Sequence, residues 1–220
     1  MRLIRVMCSG RVDLEFILRA FANGQDGVFI GGCKLDECNY VTHGNYDALA
    51  NTYMARRILG HIGLNPDRLR IEFMSGADGN LLARYTDEFA KQIREIGPLG
   101  TSEGMDKDTV RFKLAAARNL VPFMRLAERE KLRVPVKSKQ AYKGFFDNPD
   151  TDRLFDRLFS DKLAVSQILL LLAEKPLSTS EISRQLDLNP SDVSRHMITS
   201  SRHGMVMYNT ASNCYSLARA

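Results

Sequence analysis

The sequence predicts an α/β protein: a small parallel three-layer βαβ domain, a helical connector and a winged-helix domain. Over residues 1–100, short β-branched runs alternate with amphipathic stretches, the pattern of βαβ units on a parallel sheet. Glycine and proline stand where those stretches end. Residues 151–220 change texture to short helices followed by two β-runs around a polar turn. The expected boundaries are therefore 1–100, 101–150 and 151–220.

In chain order, residues 3–7 read as a strand, 14–22 as a helix, and 27–31 as a second strand that ends in Gly32 and Cys33. A longer helix over 46–62 is closed by Gly63 as a C-cap, and Asn65-Pro66 turns the chain. Residues 69–74 supply a third strand, 79–96 a helix, and Gly97-Pro98-Leu99-Gly100 ends the domain. The basic connector holds one strong helix, about 109 to 132, with Asp106 and Asp108 near its start and Pro122 as a point of kinking. Residues 134–149 read as irregular. Helices then follow at 152–159, 162–173, 178–186 and 191–203, and β-runs at 205–208 and 214–217 make a wing. Ser178 and Glu181 have capping-box spacing, and Asn189-Pro190 starts the next helix.

With 220 residues and 44% hydrophobic content, the chain can supply more than one core. Its longest apolar run, residues 168–173, is far below the ~20 residues needed to cross a bilayer. Arg2 and Arg5 interrupt the N-terminal apolar stretch, which argues against a signal peptide and for a cytoplasmic protein. The net charge of +5 is concentrated in residues 101–150, with 11 basic against 7 acidic side chains; residues 1–100 balance at 12 and 12, residues 151–220 at 8 and 7. No serine pairs with a histidine and an acid at motif spacing, and no catalytic base is evident.

Cys8 falls at the end of the first expected strand, and Cys33 and Cys38, spaced C-x4-C, lie just after the second. In a parallel sheet both positions open on the carboxyl edge, where ligand sites form. Three thiolates there are the soft ligands of an iron–sulfur cluster, and Gly10, Gly31, Gly32 and Gly44 would let backbone N–H groups approach the sulfurs. Taken alone, three cysteines near strand ends are more often small buried apolar residues than ligands. A zinc site of Cys8, Cys33, Cys38 and His43 is a further alternative, at a spacing unlike the usual tight zinc motifs. Asp36 and Glu37 read as a solvated turn, and the Gly76/Gly79 pair is only a weak phosphate-cradle signal.

Several strings agree in order with one family: Val6-Met7-Cys8-Ser9-Gly10-Arg11-Val12-Asp13, Asp26-Gly27-Val28, Gly31-Gly32-Cys33 with Cys38 and Tyr40, and Gly44-Asn45-Tyr46. Arg56-Arg57, Leu64-Asn65-Pro66-Asp67-Arg68-Leu69-Arg70 and Ser75-Gly76-Ala77-Asp78-Gly79 continue the match, which covers residues 3–98. This region resembles the methyl-viologen-reducing hydrogenase delta-subunit (hydrogenase iron–sulfur subunit) family. The resemblance implies a [2Fe–2S] cluster that relays electrons between a hydrogenase or formate dehydrogenase and a heterodisulfide-reductase-type flavoprotein, with no substrate chemistry on the chain itself. It places Cys8, Cys33 and Cys38 at the family's cysteine positions, and gives Arg11 the role of stabilising a reduced cluster or pairing with Asp13. The usual N-terminal segment of the family, with a Cys-Cys-x-x-Cys-like motif, has no counterpart ahead of Cys8 here. Three cysteines are one short of a [2Fe–2S] ligand set. Of Cys214, His43 and a partner chain, the partner chain is the expected source of the fourth ligand.

The C-terminal region resembles winged helix-turn-helix regulators. If it bound DNA, Ser191, Ser194, Arg195, Thr199 and Arg202 would face the major groove, and Asn209 and Asn213 on the wing would lie near phosphates. Its near-zero net charge and Asp192 at the helix start favour a protein-docking role. A redox-sensing winged-helix transcription regulator and a metal-free structural adaptor are the alternatives to the electron-transfer subunit.

Overall fold

Asp13 starts the first helix, α1 (Leu14–Ala22), by accepting from the Phe16 amide at 3.2 Å. Leu14, Ile17, Leu18 and Phe21 recur at helical spacing and are all buried. The chain then enters β1 (Val28–Gly32), crosses through α2 (Asn45–His61), and returns in β2 (Leu69–Phe73) parallel to β1. Ile30 stands opposite Ile71 and Gly32 opposite Phe73. Alanines 48, 50 and 55 let α2 bury most of its circumference, together with Met54, Ile58 and Leu59. The helix α3 (Gly79–Ile96) follows β2. This computed structural model describes residues 1–40 and 44–218 and divides into two units, Met1–Leu154 and Phe155–Ala220.

The α/β class and the βαβ crossover hold, but the described residues form a two-stranded parallel sheet and not a three-stranded one. Residues 3–7 have no ladder partner, and Leu3, Ile4 and Met7 are 80%, 84% and 89% exposed. Strand propensity reports how a side chain fits a paired, half-buried surface, so β-branched composition without a neighbouring strand makes no strand. Cys8 consequently sits in a turn: its sulfur caps a 3-10 turn at Ser9–Arg11.

The stretch expected as a connector is more structured than its composition suggested. The single long helix is two, α4 (Lys107–Asn119) and α5 (Val121–Lys131), divided at Leu120. Pro122 lies in the first turn of α5, where its missing N–H has no helical partner to lose. Residues 134–149, expected as irregular, contain α6 (Lys139–Phe146), which Ser138 caps through the Ala141 amide at 3.1 Å. Aromatic contacts anchor α6 on α2: Tyr46 to Tyr142 at 4.9 Å and Tyr53 stacked on Phe146 at 4.7 Å. The helix α4 packs on α1, with Arg118 donating to Glu15 at 2.6 Å, while Arg125 of α5 pairs with Asp13. Part of the basic excess thus neutralises acids of α1.

The expected helices 152–159 and 162–173 are one helix, α7 (Pro149–Glu174), because Ser160 and Asp161 are exposed and do not interrupt it. In the second unit α8 (Thr179–Leu186) and α9 (Pro190–Arg202) are followed by an antiparallel wing, β3 (Val206–Asn209) and β4 (Cys214–Leu217). Leu177 joins the wing through paired hydrogen bonds with Tyr215 at 3.0 and 2.8 Å. The capping box is formed, with Ser178 N–H donating to Glu181 at 2.8 Å. Ile168, Leu172, Leu177, Ile182, Val193, Met197 and Val206 make the core of this unit. Among the described residues no helix is long and apolar enough to cross a membrane.

Candidate functional site

The three cysteines of the first unit meet although only two of them follow a paired strand. Gly10, two residues after Cys8, crosses Gly44 so closely that a Cβ on Gly10 would lie 2.6 Å from the Gly44 carbonyl oxygen. A Cβ on Gly44 would in turn lie 2.6 Å from the Cys38 sulfur. This glycine crossing brings the Cys8 turn against the start of α2 and against the loop that carries Cys33 and Cys38. The loop is fastened by Tyr46, whose hydroxyl donates to Asp36 Oδ1 at 2.6 Å, so Asp36 is part of the scaffold and not only a solvated turn.

Backbone and side-chain donors point at the sulfurs. Gly10 N–H donates to Cys8 Sγ at 3.4 Å. The Asn45 side-chain amide donates to Lys34 O at 2.7 Å, Cys33 O at 3.0 Å and Cys33 Sγ at 3.6 Å. Burial raises the Cys33 thiol above its ordinary pKa, and the neighbouring Cys38 and Cys8 sulfurs raise it further. Burial acts in the same direction on Cys38, but the Tyr40 and Asn45 backbone amides and the other two thiols outweigh it and hold Cys38 below the ordinary value. The charge on one sulfur is therefore felt by the others.

Among the described residues no group of three or more His, Cys, Asp or Glu side chains is arranged to hold a metal ion by itself. The thiols are neighbours without a closed coordination shell. Their donor chemistry fits an iron–sulfur cluster: three soft sulfurs, amides aimed at them, and the buried Ser9 hydroxyl beside Cys8 left without a hydrogen-bond partner. His43 lies outside the described residues. Cys214 belongs to β4 of the other unit, where its thiol donates to Ser212 O at 3.3 Å. Arg11 is exposed, and its expected partner Asp13 is taken by Arg125.

Sequence reasoning found the cysteines and the permissive glycines but assigned no role to Asn45, Ser9 or the Gly10–Gly44 crossing. The Gly44-Asn45-Tyr46 string was the available signal, without any indication of what it faced.

On α9, most of the side chains expected to read DNA are occupied. Ser191 Oγ donates to Asn189 Oδ1, Ser194 Oγ to Pro190 O and Thr199 Oγ1 to Arg195 O, at 2.8, 2.9 and 2.9 Å. Arg195 is held between Asp161 and Asp192 at 3.3 and 3.2 Å. On the wing, Asn209 Oδ1 accepts from the Ala211 and Ser212 amides, and Asn213 Oδ1 from the Tyr208 hydroxyl. Arg202 is exposed.

Residues 1–97 match the family model of the methyl-viologen-reducing hydrogenase delta subunit, and residues 164–197 that of the bacterial regulatory protein arsR family. The F420-non-reducing hydrogenase iron-sulfur subunit of Archaeoglobus profundus is 44% identical over 97 residues, covering 44% of this chain and 70% of that protein. The F420-non-reducing hydrogenase vhc iron-sulfur subunit of Methanococcus voltae is 38% identical over 106 residues, covering 48% and 73%. A subunit of the ferredoxin/F(420)H(2)-dependent CoB-CoM heterodisulfide reductase of Methanosarcina acetivorans is 45% identical over 100 residues, covering 46% of this chain but 12% of that protein. The chain thus spans a small fraction of the reductase proteins it matches.

Proposed function

The chain belongs to the methyl-viologen-reducing hydrogenase delta-subunit family, and from that premise we propose that it is an iron–sulfur electron-transfer subunit of a cytoplasmic oxidoreductase complex. The observation that carries this reading is the convergence of Cys8, Cys33 and Cys38 beneath amide donors from Gly10, Tyr40 and Asn45. Cys8, Cys33 and Cys38 would hold a [2Fe–2S] cluster, with the fourth ligand supplied by a partner chain. When bound, such a cluster supplies one-electron oxidation and reduction. The chain's own part is to present the sulfurs, to stabilise their negative charge with N–H groups, and to keep them at a protein surface where a partner can approach. The partners that this reading implies are a hydrogenase or formate dehydrogenase on one side and a heterodisulfide-reductase-type flavoprotein on the other. The names of the relatives support an association with hydrogenase or heterodisulfide reductase assemblies.

The test is iron and sulfide analysis with electron paramagnetic resonance on the native complex and on the separated chain. Cys8→Ser, Cys33→Ser and Cys38→Ser are each expected to abolish one cluster signal of the complex, while Cys214→Ser leaves it intact. A complex whose iron content ignores all three substitutions would end this reading. A full cluster in the separated chain would remove the partner-supplied ligand.

The arsR-family match over 164–197 favours a second reading, a redox-sensing winged-helix transcription regulator. The engagement of Arg195 with two carboxylates weighs against it, since affinity for DNA comes largely from cations free to neutralise phosphates.

A further inference from the structure

We propose that Asn45 is a positioning residue for the electron-transfer centre: its side-chain amide orients Cys33 and, by donating to the sulfur, raises the centre's midpoint potential. This rests on the cluster reading above. Asn45 is the first residue of α2 and is 1% exposed. Burying an amide is costly unless its hydrogens are satisfied, and the carbonyls of Lys34 and Cys33 satisfy them at 2.7 and 3.0 Å. A purely structural role would be complete with those two bonds. The third contact, Nδ2 to Cys33 Sγ at 3.6 Å, shares one of these two hydrogens and is the one that reaches the chemistry.

The same residue addresses a second sulfur by a different donor, because its backbone N–H points at Cys38. Gly44 makes this possible: any side chain there would collide with Cys38 Sγ and push the start of α2 away from the loop. Reduction adds negative charge that is shared onto the ligand sulfurs, and an N–H donor stabilises that charge more in the reduced than in the oxidised state. Removing the donor therefore favours the oxidised form and lowers the potential. Tyr46, one residue on, holds the intervening Asp36 and so keeps the loop in register for both donors.

The substitutions that isolate the amide are Asn45→Asp, which keeps its shape but has no Nδ2 hydrogens, and Asn45→Ser, which is neutral and short. Both retain the backbone donor. In the native complex, both are expected to keep the iron content of the wild type while shifting the midpoint potential, read by EPR-monitored titration, to more negative values. An unchanged potential in the iron-loaded variants would overturn the proposal. So would loss of iron with helix content and thermal midpoint unchanged, because Asn45 would then be a requirement for assembly and not a tuner. A shift in Asn45→Asp without one in Asn45→Ser would assign the effect to the added charge and overturn it as well. The amide–sulfur contact is also read without iron. In the iron-free chain, Asn45→Asp and the neutral Asn45→Ser are both expected to slow iodoacetamide alkylation of Cys33 and leave that of Cys214 unchanged; a Cys33 rate unchanged in Asn45→Ser would overturn the contact. A wild-type complex without a cluster would instead show in the first measurement, before any variant, and would end the reading on which this proposal rests.

Discussion

Arg68 and Glu103 form a bidentate pair inside the first unit: Arg68 Nε donates to Glu103 Oε1 at 2.7 Å and Nη2 to Oε2 at 3.0 Å, with the arginine side chain fully buried. The remaining guanidinium hydrogens go to the carbonyls of Asp26, Gly97 and Pro98 and to the Ser102 hydroxyl. One side chain thus ties the turn before β1, the end of α3 and the loop after it to the start of β2. Removing one partner strands a buried charge, so Arg68→Met and Glu103→Gln are each expected to cost about 3–5 kcal/mol in denaturant unfolding.

The pair also sets an acid limit. Burial pushes the Glu103 carboxyl up, but Arg68 and the Asn65 and Gly100 amides outweigh it and hold it below its ordinary value of 4.5. A depressed carboxylate contributes stability that is present above the ordinary value and lost as pH falls through the lower folded one. Unfolding midpoints measured against pH should therefore drop below about pH 4.5. Glu103→Gln should flatten that limb.

The glycine crossing makes a local prediction. Gly44→Ala must move the Cys38 sulfur or the Tyr40 carbonyl, 2.6 and 2.5 Å from the new Cβ, and Gly10→Ala must move the Gly44 backbone. Each should cost about 1–3 kcal/mol and reduce iron bound per complex. Gly76→Ala, where nothing lies within 4 Å, should do neither. Equal iron content in all three variants would show that the crossing does not shape the site.

The winged unit should bind DNA weakly. Each phosphate contact steepens the salt dependence by about 0.9 in log–log slope, and Arg195 is already shared between Asp161 and Asp192. Anisotropy with a labelled duplex is expected to show no change on Arg195→Ala. Tight, steeply salt-dependent binding that is lost in this variant would support the regulator reading instead.

His196 gives the same unit a pH dependence. Burial and the neighbouring Arg195 lower its pKa, and Asp161 and Asp192 only partly oppose them. Its folded pKa lies below the ordinary 6.5, so the unfolded chain takes up the proton first and stability falls as pH drops below that value. His196→Leu should remove this slope between about pH 6.5 and the folded value, as followed by thermal unfolding.

Some features were set by local chemistry alone. Asp13, Ser178 and Asn189 cap the helices they precede, the apolar spacing of Leu14, Ile17, Leu18 and Phe21 makes α1 amphipathic, and Gly63 ends α2 with a positive φ. Each of these depends on residues within one or two turns, so the amino-acid order determines it. The three cysteines and their soft-donor character were equally legible. What the order of residues did not determine is which surfaces meet. Residues 3–7 have strand composition but no partner strand, Ser160 and Asp161 have breaker composition but an exposed position within α7, and Asn45 has an ordinary amide whose acceptors lie 11 and 12 residues away. The convergence of Cys8 with Cys33 and Cys38 depends on two glycine backbones crossing across 34 positions of sequence, a contact created only when α2 packs against the turn after Cys8. Local propensity acts over a few residues, whereas burial and close backbone approach are properties of the assembled fold.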